Sequence, residues 1–326
     1  MIYKFKSNRV YRAYYGGKRL DALCGKELCE DSRFPEEWIA SSVRAFNAGR
    51  EEIVEGMSIC EDGTPFSEIL GDKKLPVLVK LLDAAERLFI QCHPTIPFAK
   101  KHFGSEFGKT ECWYIISADE DACVYIGFKE DITREEWETC FKEQNTDRMI
   151  ELMHKLSVKA GDLVFVEGGV PHAIGGGCLL CELQEPTDLM VIPERRSASG
   201  ITLPDIKLHG GLGFDKMFDC FEYVGYTEEE LKTRFVRHPN LEEDNFVPIV
   251  DETLTDKFKM DGLKLKNGAT ADFKGEFAVG VVISGKAKIT FTEGETSLSA
   301  GEGFYISENS GELKLSGNAE IIFCRR

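Results

Sequence analysis

Apolar residues in this chain come in short runs, and polar or glycine-containing turns separate them. Val77 to Leu82, Arg87 to Cys92, Trp113 to Ser117, Ala122 to Phe128, Leu163 to Val166 and Cys178 to Leu183 each read as a strand. Taken in order they suggest three hairpins, the first joined by Asp83 to Glu86. Many short strands at regular spacing predict a sandwich or barrel. Helical stretches are few. Thr133 with Glu136 forms a capping box that opens a helix into Trp137 and Phe141. Asp147 caps a second through His154, Pro35 to Trp38 opens a third, and Gly213 to Phe221 is a short amphipathic candidate. Thr227 to Asp256 is rich in Glu and Asp and reads as a connection. After it, Phe258 to Cys324 is nearly all strand-like, with runs at Lys264 to Lys266, Phe277 to Ile283, Lys286 to Thr292, Gly303 to Ile306 and Ala319 to Cys324.

Composition narrows the picture. At 326 residues there is room for about two domains. With 42% hydrophobic and 29% charged residues the chain is an ordinary globular one rather than a disordered one. Forty Lys and Arg stand against 56 Asp and Glu, a net charge of −16, which argues against nucleic acid or an anionic membrane surface as partner. No apolar run is long enough to cross a bilayer, and Met1 to Lys6 lacks a signal-peptide core. The 11 cysteines lie mostly inside apolar runs without CxxC pairs, which reads as buried reduced thiols and a cytoplasmic location.

The chemistry-bearing residues fall into three short motifs. Gly161 to His172 reads as a Gly-Asp turn, a strand, a glycine turn and a histidine that begins the return strand. Its spacing resembles the second cupin motif, in which that histidine binds metal, with Glu167 at the usual proline position. In Gln91-Cys92-His93 the outer two residues share one strand face. In Gly108 to Tyr114, Lys109 and Glu111 also share a face. Gln91, His93, Glu111 and His172 together offer two nitrogens and two oxygens, a set that suits a catalytic zinc with an open position. His102, His154, His209 and His238 have no such company and read as structural or solvated.

Together the three motifs resemble the type I mannose-6-phosphate isomerase family in its bacterial short form. Glu86 to His93, Phe107 to Tyr114 and Glu167 to Asp188 carry the resemblance, with support from Pro35 to Ser42 and Gly210 to Phe221. It implies a mainly β fold of two cupin-like, jelly-roll β-barrels with a small helical insertion near 132–156. A catalytic part would cover 1–226, and a connection with a metal-free barrel would cover 227–326. It implies one zinc ion per chain on Gln91, His93, Glu111 and His172. It further implies aldose–ketose isomerisation of mannose 6-phosphate and fructose 6-phosphate through an enediolate, with Lys109 as the candidate proton-transfer group. Two positions depart from the family pattern. Phe89 stands where a Ser or Thr usually precedes the metal-binding Gln, and Ile192 stands where an Arg usually follows Asp188 by four residues. Arg195 is then the candidate replacement for that arginine. The departures keep other readings open: an isomerase for another or an unphosphorylated sugar, or a sugar-binding or regulatory cupin without turnover. Lys100, Lys101 and His102 read as a solvated charge cluster. Oligomeric state is not legible in these motifs.

Overall fold

A computed structural model describes residues 1–326. The chain is mainly β, as the run pattern predicts, and its strands form three antiparallel sheets. The first has seven strands in the spatial order Val236–Arg237, Leu163–Val166, Glu111–Ala118, Cys178–Gln184, Leu78–Ala84, Glu36–Ile39 and Arg9–Val10. Against it packs a three-stranded sheet of Met153–Ser157, Cys123–Phe128 and His172–Ile174. Val124, Ile126 and Ile174 of the small sheet share one core with Ile115, Leu82 and Leu180 of the large one. The alternate residues Tyr125 and Ala173 face a second core that holds Trp137 and Phe141 of the helix Arg134–Glu143. His172 and Ile174 therefore point to the inside of the sandwich.

The third sheet has eight strands. Its main path runs Ile2–Lys4, Gly303–Ile306, Ala278–Phe291, Leu313–Arg325, Lys259–Leu265 and Phe246–Val250. It packs on the outer face of the seven-stranded sheet, where Cys112, Tyr114 and Cys181 meet Val279, Ile322 and Cys324 in one core. The chain crosses between these sheets at both ends. Ile2–Lys4 pairs with Gly303–Ile306, and Val236–Arg237 pairs with Leu163–Val166. None of the sheet paths closes on itself, so the expected barrels are open sandwiches here. No helix is long and apolar enough to cross a membrane.

Several local expectations are corrected. The three hairpins do not form. Leu163–Val166 and Cys178–Gln184 lie on opposite sides of Glu111–Ala118, and Cys123–Phe128 belongs to the facing sheet. Consecutive strands switch sheets, as sandwiches built from Greek keys require. Arg87 to Cys92 is not a ladder strand, since only Gln91 and Cys92 form isolated bridges. Pro35 to Trp38 opens no helix. Glu36–Ile39 is a strand because Glu36 and Trp38 are both buried against the neighbouring strands. Asn145, not Asp147, caps Thr146–Leu152, and His154 lies in the strand that follows. The acidic connection is itself structured, with a Thr227–Glu230 capping box opening Glu228–Phe235. Thr133 caps Arg134–Glu143 by accepting from the Glu136 amide, but the Glu136 side chain does not return the bond, so the expected capping box is only half formed.

Candidate metal centre and adjoining cavity

Backbone pairing brings the motifs together. Gln91 and His172 exchange both hydrogen bonds at 2.9 Å, which sets Gln91-Cys92-His93 beside the return strand. Glu111 opens its strand opposite both Gln184 and Val166. Glycine permits the close approach of these segments: a Cβ on Gly108 would sit 2.6 Å from the Pro94 carbonyl oxygen, and one on Gly168 would sit 2.8 Å from the same atom. From the other side, the buried Glu194 carboxylate accepts from the Arg87 fork at 2.8 and 2.6 Å and from the Ile90 amide at 2.5 Å. That carboxylate fixes the segment that leads into Gln91.

His93, Glu111 and His172 converge, with one donor atom from each lying within 4.8 Å of the others. All three are buried. Glu111 Oε2 is 3.0 Å from His93 Nε2, and Glu111 Oε1 is 3.5 Å from His172 Nε2. Each imidazole is oriented through its other nitrogen: His93 Nδ1 is 3.0 Å from the Leu189 carbonyl oxygen, and His172 Nδ1 is 2.9 Å from that of Val170. A carbonyl oxygen can only accept, so Nδ1 carries the hydrogen in both rings and Nε2 presents a lone pair. His172 Nε2 is buried with no hydrogen-bond partner. Burial, reinforced by the Lys109 cation, pushes the His93 imidazole down to about 3. Burial also lowers His172. Burial alone would raise the Glu111 carboxyl, but Lys109 and then His93 outweigh it and hold it well below the usual range. Two neutral imidazole lone pairs, one of them orphaned, beside an ionised carboxylate form a donor set that fits a divalent metal.

Lys109 and Gln91 connect this cluster to a cleft that encloses about 950 Å³, including solvent at its mouth. Lys109 Nζ reaches His93 Nε2 at 2.6 Å and Glu111 Oε2 at 2.5 Å, while Trp113 Nε1 donates to Glu111 Oε1 at 3.0 Å. Phe89 and Ile192 both face the cleft and give it an apolar wall. Arg195 is not brought to it. Its guanidinium pairs with Asp205 and lies 5.1 and 5.2 Å from the rings of Phe141 and Phe214, half-exposed beside the helical insertion. Lys100 is exposed and paired with Glu106 at 2.9 Å, as expected for a solvated face.

The polar floor of the cleft comes from residues outside the sequence motifs. Lys80 Nζ is 2.9 Å from Glu182 Oε1 and 2.5 Å from Gln184 Oε1. Arg12 binds Glu36 through Nε at 2.8 Å and Asp188 through Nη2 at 3.1 Å. One signal was available: Lys80 and Glu182 are charged residues within the apolar runs Val77 to Leu82 and Cys178 to Leu183, and they stand directly opposite one another in the ladder. A charge in a strand buried on both faces needs a partner.

Comparisons with known proteins bear on the fold and the family. A family model described as mannose-6-phosphate isomerase, cupin domain, matches residues 252–325. The mannose-6-phosphate isomerase ManA of Bacillus subtilis is 31% identical over 262 residues, which cover 79% of this chain and 76% of that protein. The mannose-6-phosphate isomerase of Streptococcus mutans is 34% identical over 188 residues, 56% of this chain and 58% of the relative's length. Among solved structures, the Bacillus subtilis mannose 6-phosphate isomerase superposes with a TM-score of 0.75 at 21% identity, over 100% of this chain and 99% of that one. A phosphomannose isomerase from Salmonella typhimurium gives 0.74 at 14% identity over 100% of both chains. The superpositions establish the cupin-type fold, and the extent of the match to ManA establishes kinship: this chain belongs to the mannose-6-phosphate isomerase family.

Proposed function

We propose that this chain interconverts mannose 6-phosphate and fructose 6-phosphate, with one zinc ion held by Gln91, His93, Glu111 and His172. The observation that carries the reading is the orphaned His172 Nε2, which converges with His93 and Glu111 beside a sugar-sized cleft. A bound zinc would supply a Lewis acid that polarises the sugar carbonyl. The remaining chemistry belongs to the side chains. His93 Nε2 has one lone pair, so with a metal held there Lys109 would be released from the hydrogen bond it now makes to that atom, leaving its contact with Glu111. Lys109 Nζ lines the cleft, and once it has released its extra proton to solvent its neutral amine takes the proton from C2, leaving an enediolate, and returns it to C1 while the hydroxyl proton passes from O2 to O1. Arg12, Glu36, Lys80 and Glu182 hold a fixed polar floor for sugar hydroxyls, and Phe89 and Ile192 keep water from the opposite wall.

No residue beyond Lys207 lines the cleft, which supports a division into a catalytic part at 1–226 and a part at 227–326 without metal ligands. All 11 cysteines are free, which fits a cytoplasmic setting. The apolar Phe89 and Ile192 favour a second reading, an isomerase for an unphosphorylated sugar. Both readings are tested on zinc-loaded protein in a coupled assay, with mannose 6-phosphate beside mannose. His93→Ala and His172→Ala should lose metal and activity together. Lys109→Met should lose turnover while it keeps zinc. Full activity in any of the three would refute the corresponding role.

A further inference from the structure

The chain carries a net charge of −16, yet five cationic side chains line its cleft. Three of them are neutralised at short range: Arg12 by Glu36 and Asp188, Lys80 by Glu182, and Lys109 by Glu111. Arg33 and Lys207 are different, because neither has a carboxylate partner. Arg33 donates through Nε to the Arg12 carbonyl oxygen at 3.1 Å and stacks its guanidinium 4.6 Å from the Tyr11 ring centre. Those two contacts fix the plane of the group and leave its two Nη groups without a protein hydrogen bond. Lys207 Nζ donates only to the Phe46 carbonyl oxygen, at 2.6 Å, above the Phe46 ring. The nearby Asp188 carboxylate is already taken up by Arg12 and by the Phe46 amide. Both cations keep partial exposure, whereas Arg12, Lys80 and Lys109 are buried, which sets the unpaired charges nearer the solvent end of the cleft.

We propose that Arg33 and Lys207 form an anion subsite at the open end of the cleft and receive the phosphate ester of the substrate. The proposal rests on the isomerase reading above and supplies what Phe89 and Ile192 cannot, since neither side chain can donate a hydrogen bond. A guanidinium fork and an ammonium on one phosphate are the strong, charge-assisted kind of contact. Both groups are held before the ligand arrives, which reduces the ordering cost of binding. Burial lowers Lys207 to about 8, and at neutral pH the ammonium remains mostly charged.

The test uses zinc-loaded protein and the variants Arg33→Gln, Lys207→Gln and Lys207→Arg, with Lys100→Gln as a surface control. Binding of mannose 6-phosphate and of inorganic phosphate is followed by calorimetry, and KM is measured for mannose 6-phosphate and for mannose. Each neutral variant should weaken phosphosugar binding about tenfold or more, with a much smaller effect on mannose. Lys207→Arg should restore binding to within about threefold, and Lys100→Gln should match the parent. Equal phosphosugar affinity in parent and neutral variants overturns the subsite and leaves the isomerase reading standing. Equal losses for mannose and mannose 6-phosphate also overturn it, because the two residues would then act on folding or on the sugar. Phosphosugar binding that depends on both cations but never leads to turnover supports the subsite and refutes the isomerase reading instead.

Discussion

Glu36→Gln is the sharpest probe of the cleft floor. The Glu36 carboxylate is buried and accepts three hydrogen bonds: from Arg12 Nε at 2.8 Å and Tyr14 Oη at 2.6 Å on one oxygen, and from Trp38 Nε1 at 2.7 Å on the other. Glutamine matches its shape but offers one accepting oxygen and one donating amide. Either orientation of that amide sets a donor against at least one of these three donors. Burial would raise the Glu36 carboxyl, but Arg12 and then Lys80 outweigh it and lower it from 4.5 to about 2. At about 1.4 kcal/mol per tenfold change in proton affinity, that depression corresponds to ~3 kcal/mol of folding stability. A carboxyl with a folded-state value below its unfolded one stabilises the fold above the unfolded value. That contribution is therefore complete above about pH 5 and drains away as pH falls toward 2. Equilibrium urea unfolding of parent and Glu36→Gln, repeated from pH 7 to pH 3, measures it. The variant should be less stable by ~3 kcal/mol at pH 7, a large part of an ordinary domain's margin, and the gap should narrow on acidification. A gap below about 1 kcal/mol at pH 7, or one that stays constant with pH, would refute the charge-pair account.

Three other outcomes follow from the structure. Gly280→Ala places a methyl 2.1 Å from the ring of the buried Phe304, so it should cost ~1–3 kcal/mol in urea unfolding; an unchanged midpoint would show that the ring can move aside. Arg195→Gln should change kcat/KM for mannose 6-phosphate far less than Arg12→Gln, since Arg195 pairs with Asp205 outside the cleft; equal losses in a coupled assay would contradict that placement. Glu194→Gln breaks the fork with Arg87 that fixes the chain before Gln91, and should weaken zinc retention about tenfold in a chelator competition; parent-like retention would mean the segment holds without it.

The residues proposed to hold the metal are readable in the sequence because each lies in a compact motif. The Gln-x-His spacing draws attention to Gln91 and His93 although that segment forms only isolated bridges, and the glycine turn ahead of His172 returns that residue to the interior. Strands are readable for the same reason, but their partners are not. Alternation says which face a residue takes and is silent on which strand lies beside it, so Leu163–Val166 and Cys178–Gln184 look like a hairpin while Glu111–Ala118 runs between them. Pro35 to Trp38 resembles a helix start because proline and acidic residues favour a first turn. Tertiary burial decides otherwise, because Glu36 serves Arg12, Tyr14 and Trp38 at once. Arg195 stands near Ile192 in sequence only. The arginines that do line the cleft, Arg12 and Arg33, come from segments more than 150 residues earlier, where no motif draws attention to them.

The most direct test of the central claim is a metal titration of turnover. Protein stripped with a chelator is reloaded with zinc in steps, and conversion of mannose 6-phosphate to fructose 6-phosphate is followed by a coupled assay alongside bound zinc. The account predicts no turnover in stripped protein and a linear rise that saturates at one zinc per chain. Turnover that survives stripping, or a full equivalent of zinc bound with no isomerisation of the phosphosugar, would contradict it.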